Sequence, residues 1–454
     1  MMNTLIKEKD KQVDMLNGSL LGKLLIFALP LAASSVLQQL FNSVDMAVVG
    51  KFATSQAQAA VGCNGAVINL ILTLFIGISV GANVVIARYI GENRKNRIKN
   101  AVHTSMVVAV ISGFIVLVVG LLVSRGILEW MNTPEDVLEH AVLYLRIYFL
   151  GVPFMMVYNF GAAILRSVGD TKRPLYCLAF AGIINVILNL ILVIIFHLGV
   201  AGVAIGTVVS NMISSTIIIY LLMHEEGDIK LSLKDLKISH HELKEILRMG
   251  IPAGLQSVVF SIANVFIQAS LNGYGSDAVA GSAVTLNYEC YSYFIESAFA
   301  QTAVTFTSQN FGAKKYDRCK KIFIQTISIS ILISWGMALC FVFGREFFIS
   351  IFTSEPEVAR YASIRMVHLL TFYCLVSTYE VTGGALRGMG YSMTPTIITV
   401  FGTCILRLIW IATVCKWYTG FETLMNVYPI SWALTGTTVI ASYLIIRKRI
   451  FIEE

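Results

Sequence analysis

The sequence contains few charged residues. Asp, Glu, Lys and Arg make up only 13% of its 454 residues, whereas soluble globular domains carry about a quarter. Hydrophobic residues make up 56%, and the mean hydropathy is +0.74. This composition excludes one large soluble core. It predicts an all-α polytopic membrane protein whose surroundings are the lipid bilayer.

Metal and nucleotide motifs are also missing from the sequence. The eight cysteines form no CxxC pair and the seven histidines no HExxH spacing, which argues against a disulfide framework and a structural metal site. Neither a GxxxxGK[ST] loop nor a GxSxG elbow occurs, so we expect no enzyme and no cofactor. The net charge of +7 is spread over short loops, so we expect no nucleic-acid partner.

Long apolar segments dominate the chain. Twelve can cross a bilayer as helices, because about 20 apolar residues suffice. Lys and Arg gather in alternate loops and in the N-terminal segment (Lys7, Lys9, Lys11), which predicts that both termini are cytoplasmic. The predicted spans 1 to 12 cover roughly 24–50, 58–88, 99–124, 137–165, 174–196, 200–223, 246–272, 277–311, 319–344, 358–386, 393–416 and 424–446.

The two halves of the chain repeat each other at an offset of 221–222 residues. LRSVGDTKRP (165–174) corresponds to LRGMGYSMTP (386–395), and three prolines match at this offset: Pro30 with Pro252, Pro134 with Pro356, and Pro174 with Pro395. We predict an N-lobe (1–223), a cytoplasmic linker (224–245) and a C-lobe (246–454). Six spans in each half make the lobes parallel repeats, related by a pseudo-twofold axis along the membrane normal.

Span 1 carries an acid in an otherwise apolar segment. Ser35, Gln38, Asn42 and Asp45 share one helical face, and an ionisable group inside a membrane normally faces a cavity or a partner. Asp45 is therefore the first candidate for the working part of the protein. The alternative is a wet residue near the membrane surface, because Gly50 and Lys51 follow closely.

Two further spans offer oxygen ligands at helical spacing. Asn185 and Asn189 lie one turn apart on span 5, and Thr207 and Asn211 on span 6. With the Asp45 carboxylate, these amide and hydroxyl oxygens suit a hard cation such as Na⁺. Asp45 could instead take a proton. The repeat places Ile267 opposite Asp45, so such a site belongs to the first half only.

The second half carries its own acids. Glu289 and Glu296 lie on one face of span 8 among aromatic residues that include Tyr293, an environment suited to an organic cation. The alternative is that either glutamate pairs with an arginine of the spans: Arg146, Arg365 or Arg407. Further candidates for the substrate cavity are Gln38, Asn42, Asn159, Asn264 and Glu380, although polar groups such as Asn264 also bridge helices.

Several short motifs in both halves match one family when taken in order. They are VDMAVVG (44–50) after the first proline, GANVVIARYIGE (81–92), LRSVGD (165–170), NxxxN (185–189), QNFGA (309–313) and ALRGMG (385–390). The sequence resembles the multidrug and toxic compound extrusion (MATE) family over nearly its whole length.

This resemblance implies a secondary antiporter of a bacterial plasma membrane, made of two six-helix lobes around a V-shaped cleft. It would export lipophilic organic cations, antibiotics included, in exchange for Na⁺ or H⁺, and would need no protein partner. Asp45, Asn185, Asn189 and Thr207 match the family's first-lobe cation site. Gln256 stands where sodium-coupled members often carry a glutamate, so this sequence departs from the family pattern for a second-lobe cation site.

Two other functions remain open. A flippase of a lipid-linked sugar or similar amphiphile shares the fold, but it would line its cavity with cations for the pyrophosphate. The acids Asp45, Glu289, Glu296 and Glu380 favour cationic cargo instead. A channel is disfavoured by the twofold repeat and its long linker.

Overall fold

A computed structural model describes residues 12–131 and 133–452, except for the side chains of residues 55, 66, 451 and 452. The basic residues Lys7, Lys9 and Lys11 lie outside this part. Every secondary-structure element in it is helical, as the composition predicts. The ends of the predicted spans agree with the observed helices to within a few residues, apart from spans 3 and 12, which extend further, and span 7, which begins six residues earlier.

The first six spans are long helices. They are Leu21–Phe52, Ser55–Gly91, Lys95–Trp130, Glu135–Ser167, Lys172–Leu190 with a π-turn Ile191–Ile195, and Gly199–Met223. Several ends follow from local sequence. Thr54 accepts a hydrogen bond from the backbone N–H of Ala57 at the start of span 2. Pro134 precedes the first residue of span 4, a place where the missing N–H costs little.

The second six spans are more broken. Spans 7 and 8 are the helices His240–Asn272 and Ser276–Gly312, and span 12 is Phe421–Ile452. Span 9 joins Tyr316–Ser330, a π-turn Ile331–Trp335 and Gly336–Phe343; span 10 is Pro356–Leu370 and Cys374–Gly388; span 11 is Met393–Thr399, a π-turn Val400–Ile405 and Leu406–Ala412. Short helices cover Leu233–Asp235, Arg345–Ser350 and Val414–Trp417.

Ten of the described helices are long and apolar enough to cross a membrane. The other two spans are 8 and 10. Span 8 has the length, with 37 residues, but carries Glu289, Glu296 and many hydroxyl and amide groups. Span 10 is interrupted between Leu370 and Cys374, so neither of its pieces reaches spanning length alone. Together the helices give the predicted twelve-span fold.

The internal repeat is visible in the backbone. Gly169 and Gly390, the matching glycines of LRSVGD and LRGMG, both adopt φ of 95°, a conformation that glycine tolerates and side chains resist. Asn93 and Lys314, at the same offset, both adopt φ of 56°. The turns that follow spans 2, 4, 8 and 10 therefore have the same local geometry in both halves.

Contacts within the chain define two compact units. The first contains Ala33–Gly254 and the residues just before Met15, and the second contains Met15–Ala32 and Leu255 onward. Each unit has its own apolar core, with Val49, Leu145 and Phe149 in the first and Tyr288, Met366 and Leu424 in the second. The lobes 1–223 and 246–454 divide the chain differently, and they remain a prediction.

The polar segment after span 6 is fastened to the first unit. His103 Nε2 accepts a hydrogen bond from the backbone N–H of Ser232 at 3.1 Å, and Thr104 Oγ1 accepts one from Ser239 at 3.0 Å. Lys99 pairs with Asp235 at 2.9 Å and holds the pKa of that carboxyl below its usual value. These contacts hold residues 232–239 against the start of span 3.

Candidate functional site

Asp45 faces the interior of the first unit. Its side chain is only 7% exposed, and its Oδ1 accepts a hydrogen bond from Asn189 Nδ2 at 2.5 Å. The rest of the predicted polar stripe does not follow it inward, because Gln38 and Asn42 are exposed. A helical face is too wide to specify which of its members turn into the core.

Asn185 and Thr207 complete a four-residue group around the carboxylate. Asn189 Nδ2 also lies 3.3 Å from Asn185 Oδ1, and Asn185 Nδ2 lies 3.5 Å from Thr207 Oγ1. With its amide reversed, Asn185 would donate to Asp45 Oδ1 at 2.9 Å and accept from the backbone N–H of Thr207. The structure thus brings together three spans at the residues that the sequence singled out.

We call Asp45, Asn185, Asn189 and Thr207 the carboxylate cluster. The Asn189 amide donates to the carboxylate as arranged, and the Asn185 amide donates to it when reversed, which supplies the hydrogen bonds that a buried acid requires. A Na⁺ ion would need the Asn189 amide turned so that its oxygen points toward Asp45, whereas a proton on Asp45 would need no such rotation. Asn189 Oδ1 is buried and has no hydrogen-bond partner in the described part of the chain, so an acceptor is available to a cation or a water molecule.

Small residues let span 1 and span 6 approach span 5 at the cluster. A Cβ atom on Gly182 would lie 1.8 Å from the ring of Phe41, one turn before Asp45. A Cβ atom on Gly206 would lie 2.1 Å from Asn189 Oδ1. These glycines were not singled out from the sequence. Glycine at a helix contact in a membrane protein is the signal that could have indicated them.

If the carboxylate cluster holds the cation that the resemblance implies, we expect Gly206→Ala to displace the Asn189 amide and to weaken cation binding by about tenfold, the effect of losing about 1.4 kcal/mol. The added methyl group would lie 2.1 Å from Asn189 Oδ1, so one of the two must move. Binding of Na⁺ and of protons to the purified variant is the measurement. Gly126→Ala is the matched control, because a Cβ atom there meets nothing within 4 Å. Equal affinities for both variants would contradict this packing.

Two tyrosines of span 4 belong to the electrostatic environment of Asp45. Tyr144 and Tyr148 of span 4 interact electrostatically with Asp45, and their rings stack at 6.0 Å between centroids. Tyr144 is buried. Sequence reasoning missed both tyrosines, because nothing in span 4 predicts which of its faces turns toward span 1.

Glu289 pairs internally, which is the alternative that the sequence left open for it. Arg365 holds both oxygens of the carboxylate, with Nε to Oε1 at 2.8 Å and Nη2 to Oε2 at 3.1 Å. The two side chains are 7% and 14% exposed. Such a bidentate pair leaves Glu289 little capacity to bind a cation.

The other second-half candidates lie in different environments. Glu296 is fully buried, whereas Tyr293 is 46% exposed and Asn264 is exposed. Glu380 is partly buried and interacts electrostatically with Arg387. Arg387 in turn donates to Gln256 Oε1 at 2.7 Å. An arginine therefore contacts the residue at which the sequence departs from the family pattern.

Asn159 turns back on its own helix. Its Nδ2 donates to the backbone carbonyl of Met155 at 2.9 Å, and the side chain is partly buried. It lies outside the carboxylate cluster. Its assignment to a substrate cavity remains a prediction, as do those of Gln38, Asn42, Asn264, Tyr293 and Glu380.

Comparison with known proteins adds the family. The MatE family model matches residues 30–191 and again 252–413, and these two matches keep the spacing of the repeat at both ends. A curated relative, the probable multidrug resistance protein YoeA of Bacillus subtilis, is 28% identical over 93% of each chain.

Solved structures share the fold. A MOP superfamily transporter from Pyrococcus furiosus, described as having a binding pocket of reverse polarity, has a TM-score of 0.90 at 22% identity, over 96% of this chain and 98% of its own. An outward-facing MATE family multidrug resistance transporter also has a TM-score of 0.90 at 22% identity, over 97% and 98% of the two chains. These matches confirm the resemblance seen in the motifs: the chain belongs to the MatE family of multi-pass membrane transporters, whose members are not enzymes.

Proposed function

We propose that this protein exports lipophilic organic cations across a bacterial plasma membrane, with both termini in the cytoplasm, in exchange for Na⁺ or H⁺ bound at the carboxylate cluster. The observation that carries the proposal is the placement of Asp45. Its carboxylate lies inside the first unit, bonded to Asn189, rather than on the exposed face of span 1. A buried membrane acid of this kind is costly and typical of an ion pathway.

We expect the coupling to act through span 1, the helix that carries Asp45. Ion or proton binding at Asp45 would change its bonds to spans 5 and 6, and span 1 would shift with it. Cargo bound to the rearranged unit would then be held less tightly. Linkage requires that each ligand weaken the other by the same factor, so the inward ion gradient can drive cargo outward by alternating access.

The test is transport in proteoliposomes that contain the purified full chain. Ethidium is followed while a sodium gradient and a pH gradient are imposed separately. Ethidium movement that one of the two gradients accelerates supports the proposal and names the coupling ion. Movement that responds to neither gradient would contradict antiport.

The flippase alternative is tested in the same vesicles. It predicts that a fluorescent pyrophosphate-linked lipid crosses the bilayer and that ethidium does not. In the second unit, Arg365 is already neutralised by Glu289, which leaves one cation fewer to receive a pyrophosphate. This contact favours the export of cations over a flippase.

A further inference from the structure

A basic cavity lies between the start of span 3 and residues 232–239, within the first unit. Its volume is about 570 Å³, and its lining includes Lys99, Lys234 and Lys237 against one acid, Asp235. The acid is already paired with Lys99 at 2.9 Å. Lys234 and Lys237 are exposed, and neither forms an ion pair within the described part of the chain. The cavity therefore keeps two uncompensated positive charges.

Hydrogen bonds fix the walls of this cavity. His103, which also lines it, is 1% exposed. The imidazole Nε2 accepts from the backbone N–H of Ser232, so Nδ1 carries the proton and donates to the Lys99 carbonyl at 2.7 Å. The neighbouring Thr104 accepts from the backbone N–H of Ser239. The lysines therefore project from a backbone that is already ordered, which lowers the entropy cost of gathering them around a ligand.

Apolar side chains alternate with these lysines on the surface. Leu233 is 56% exposed, and Leu236 and Ile238 are each 40% exposed. Leu236 also lines the cavity. Lysines interleaved with exposed apolar groups are typical of protein surfaces that lie at the boundary between lipid headgroups and acyl chains. The surroundings of the cavity thus suit a ligand that is anionic at one end and apolar at the other.

The exposed face of span 3 continues from the cavity along the bilayer. Phe114 and Val118 follow the lining residues Asn96 and Asn100 by eighteen residues, which is five full helical turns, so they lie on the same face. Phe114 and Val118 are each 54% exposed. From Asn100 to Phe114 the helix rises about 21 Å, more than half the ~30 Å thickness of the hydrocarbon core. The acyl chains of one leaflet can therefore follow this face while their headgroup reaches the lysines.

We propose that this cavity binds an anionic phospholipid such as phosphatidylglycerol, with Lys234 and Lys237 holding the headgroup phosphate and the acyl chains packed along span 3. Basic clusters beside a membrane helix attract anionic headgroups in this way. Phosphatidylcholine adds a quaternary ammonium, for which the cavity offers Asp235 alone, and that acid is paired with Lys99. The site therefore selects lipids by net charge. In the proposed orientation, the lipid belongs to the cytoplasmic leaflet.

The test measures lipid binding to the purified full chain in nonionic detergent. Phosphatidylglycerol labelled with NBD on one acyl chain is followed by fluorescence anisotropy, and identically labelled phosphatidylcholine is the comparison. Wild-type protein is expected to bind phosphatidylglycerol at least about tenfold more tightly. In Lys234→Gln/Lys237→Gln this preference should fall to about threefold or less. The control Lys230→Gln/Lys244→Gln removes the same charge from exposed lysines outside the cavity lining and should keep the wild-type preference.

Three outcomes would overturn the site. Equal losses in the two double variants would reduce the effect to general attraction between a basic surface and an anionic lipid. Equal affinity of the wild type for both lipids would remove the selection by charge. Displacement of the labelled lipid by millimolar inorganic phosphate, but not by chloride at the same ionic strength, would assign the cavity to a soluble phosphate.

The measurement is independent of transport, so its failure would leave the proposed export function intact. The thermal unfolding midpoints of both double variants should match that of the wild type, because all four lysines are exposed. Should either variant fold poorly, the lipid preference of the wild type and the competition with phosphate decide the question without it.

Discussion

Asp45→Asn is expected to abolish gradient-driven export, with a loss of at least about a hundredfold, the order expected when one ion is worth about 2.7 kcal/mol of coupling. Asparagine keeps the size of the side chain and can still bond to Asn189, but it carries no charge and takes no proton at neutral pH. The ion therefore has no binding energy to transmit. Export of ethidium from proteoliposomes under each gradient is the measurement.

The control for this variant is Asp277→Asn, which removes the same charge from an exposed position at the start of span 8. It should export at the wild-type rate. The thermal unfolding midpoint of purified Asp45→Asn should stay close to that of the wild type, because asparagine keeps the size of the side chain and its hydrogen bond to Asn189. Wild-type export by Asp45→Asn would remove Asp45 from the mechanism.

Glu289→Gln is expected to destabilise the protein by about 3–5 kcal/mol, because it leaves Arg365 as an uncompensated buried charge. The loss of export would then come from the loss of folded protein. Thermal unfolding of the purified variant in detergent is the measurement, compared with the wild type at the same concentration.

The double variant Glu289→Gln/Arg365→Gln separates a structural pair from a cargo-binding acid. If Glu289 serves Arg365, removal of both charges should recover most of the lost stability and export, and the double-mutant cycle should show strong coupling. If Glu289 binds cargo, stability would recover and export would not. That second result would contradict the claim that the role of Glu289 is to pair with Arg365.

The twelve spans could be predicted because the bilayer imposes their length and apolar character, and the repeat because its marker residues recur at a constant offset. A segment either has some 20 apolar residues or it does not, and a duplicated chain preserves its prolines and turn glycines, as Gly169 and Gly390 show. The π-turns in spans 5, 9 and 11 and the break in span 10 could not be predicted. They depend on packing against neighbouring helices, and no local residue pattern predicts them.

The carboxylate cluster was partly predictable for a different reason. Asp45, Asn185, Asn189 and Thr207 stand out because polar residues in apolar spans are few. Sequence periodicity does not determine how a helix is rotated about its axis, so it grouped the exposed Gln38 and Asn42 with the buried Asp45. Nor could it show which arginine pairs with Glu289, since the sequence does not distinguish Arg146, Arg365 and Arg407 as partners. Among the residues that the structure describes, Arg365 is the arginine that forms an ion pair with Glu289.

The central claim is that the coupling ion binds at Asp45, and direct ion binding tests it. Purified full-length protein in unbuffered detergent solution is mixed with ethidium while released protons are recorded, and ²²Na⁺ binding is measured in parallel. The account predicts that wild-type protein binds one of the two ions, releases it when ethidium is added, and loses both responses in Asp45→Asn but not in Asp277→Asn. Ethidium-linked ion release that persists in Asp45→Asn would contradict the account.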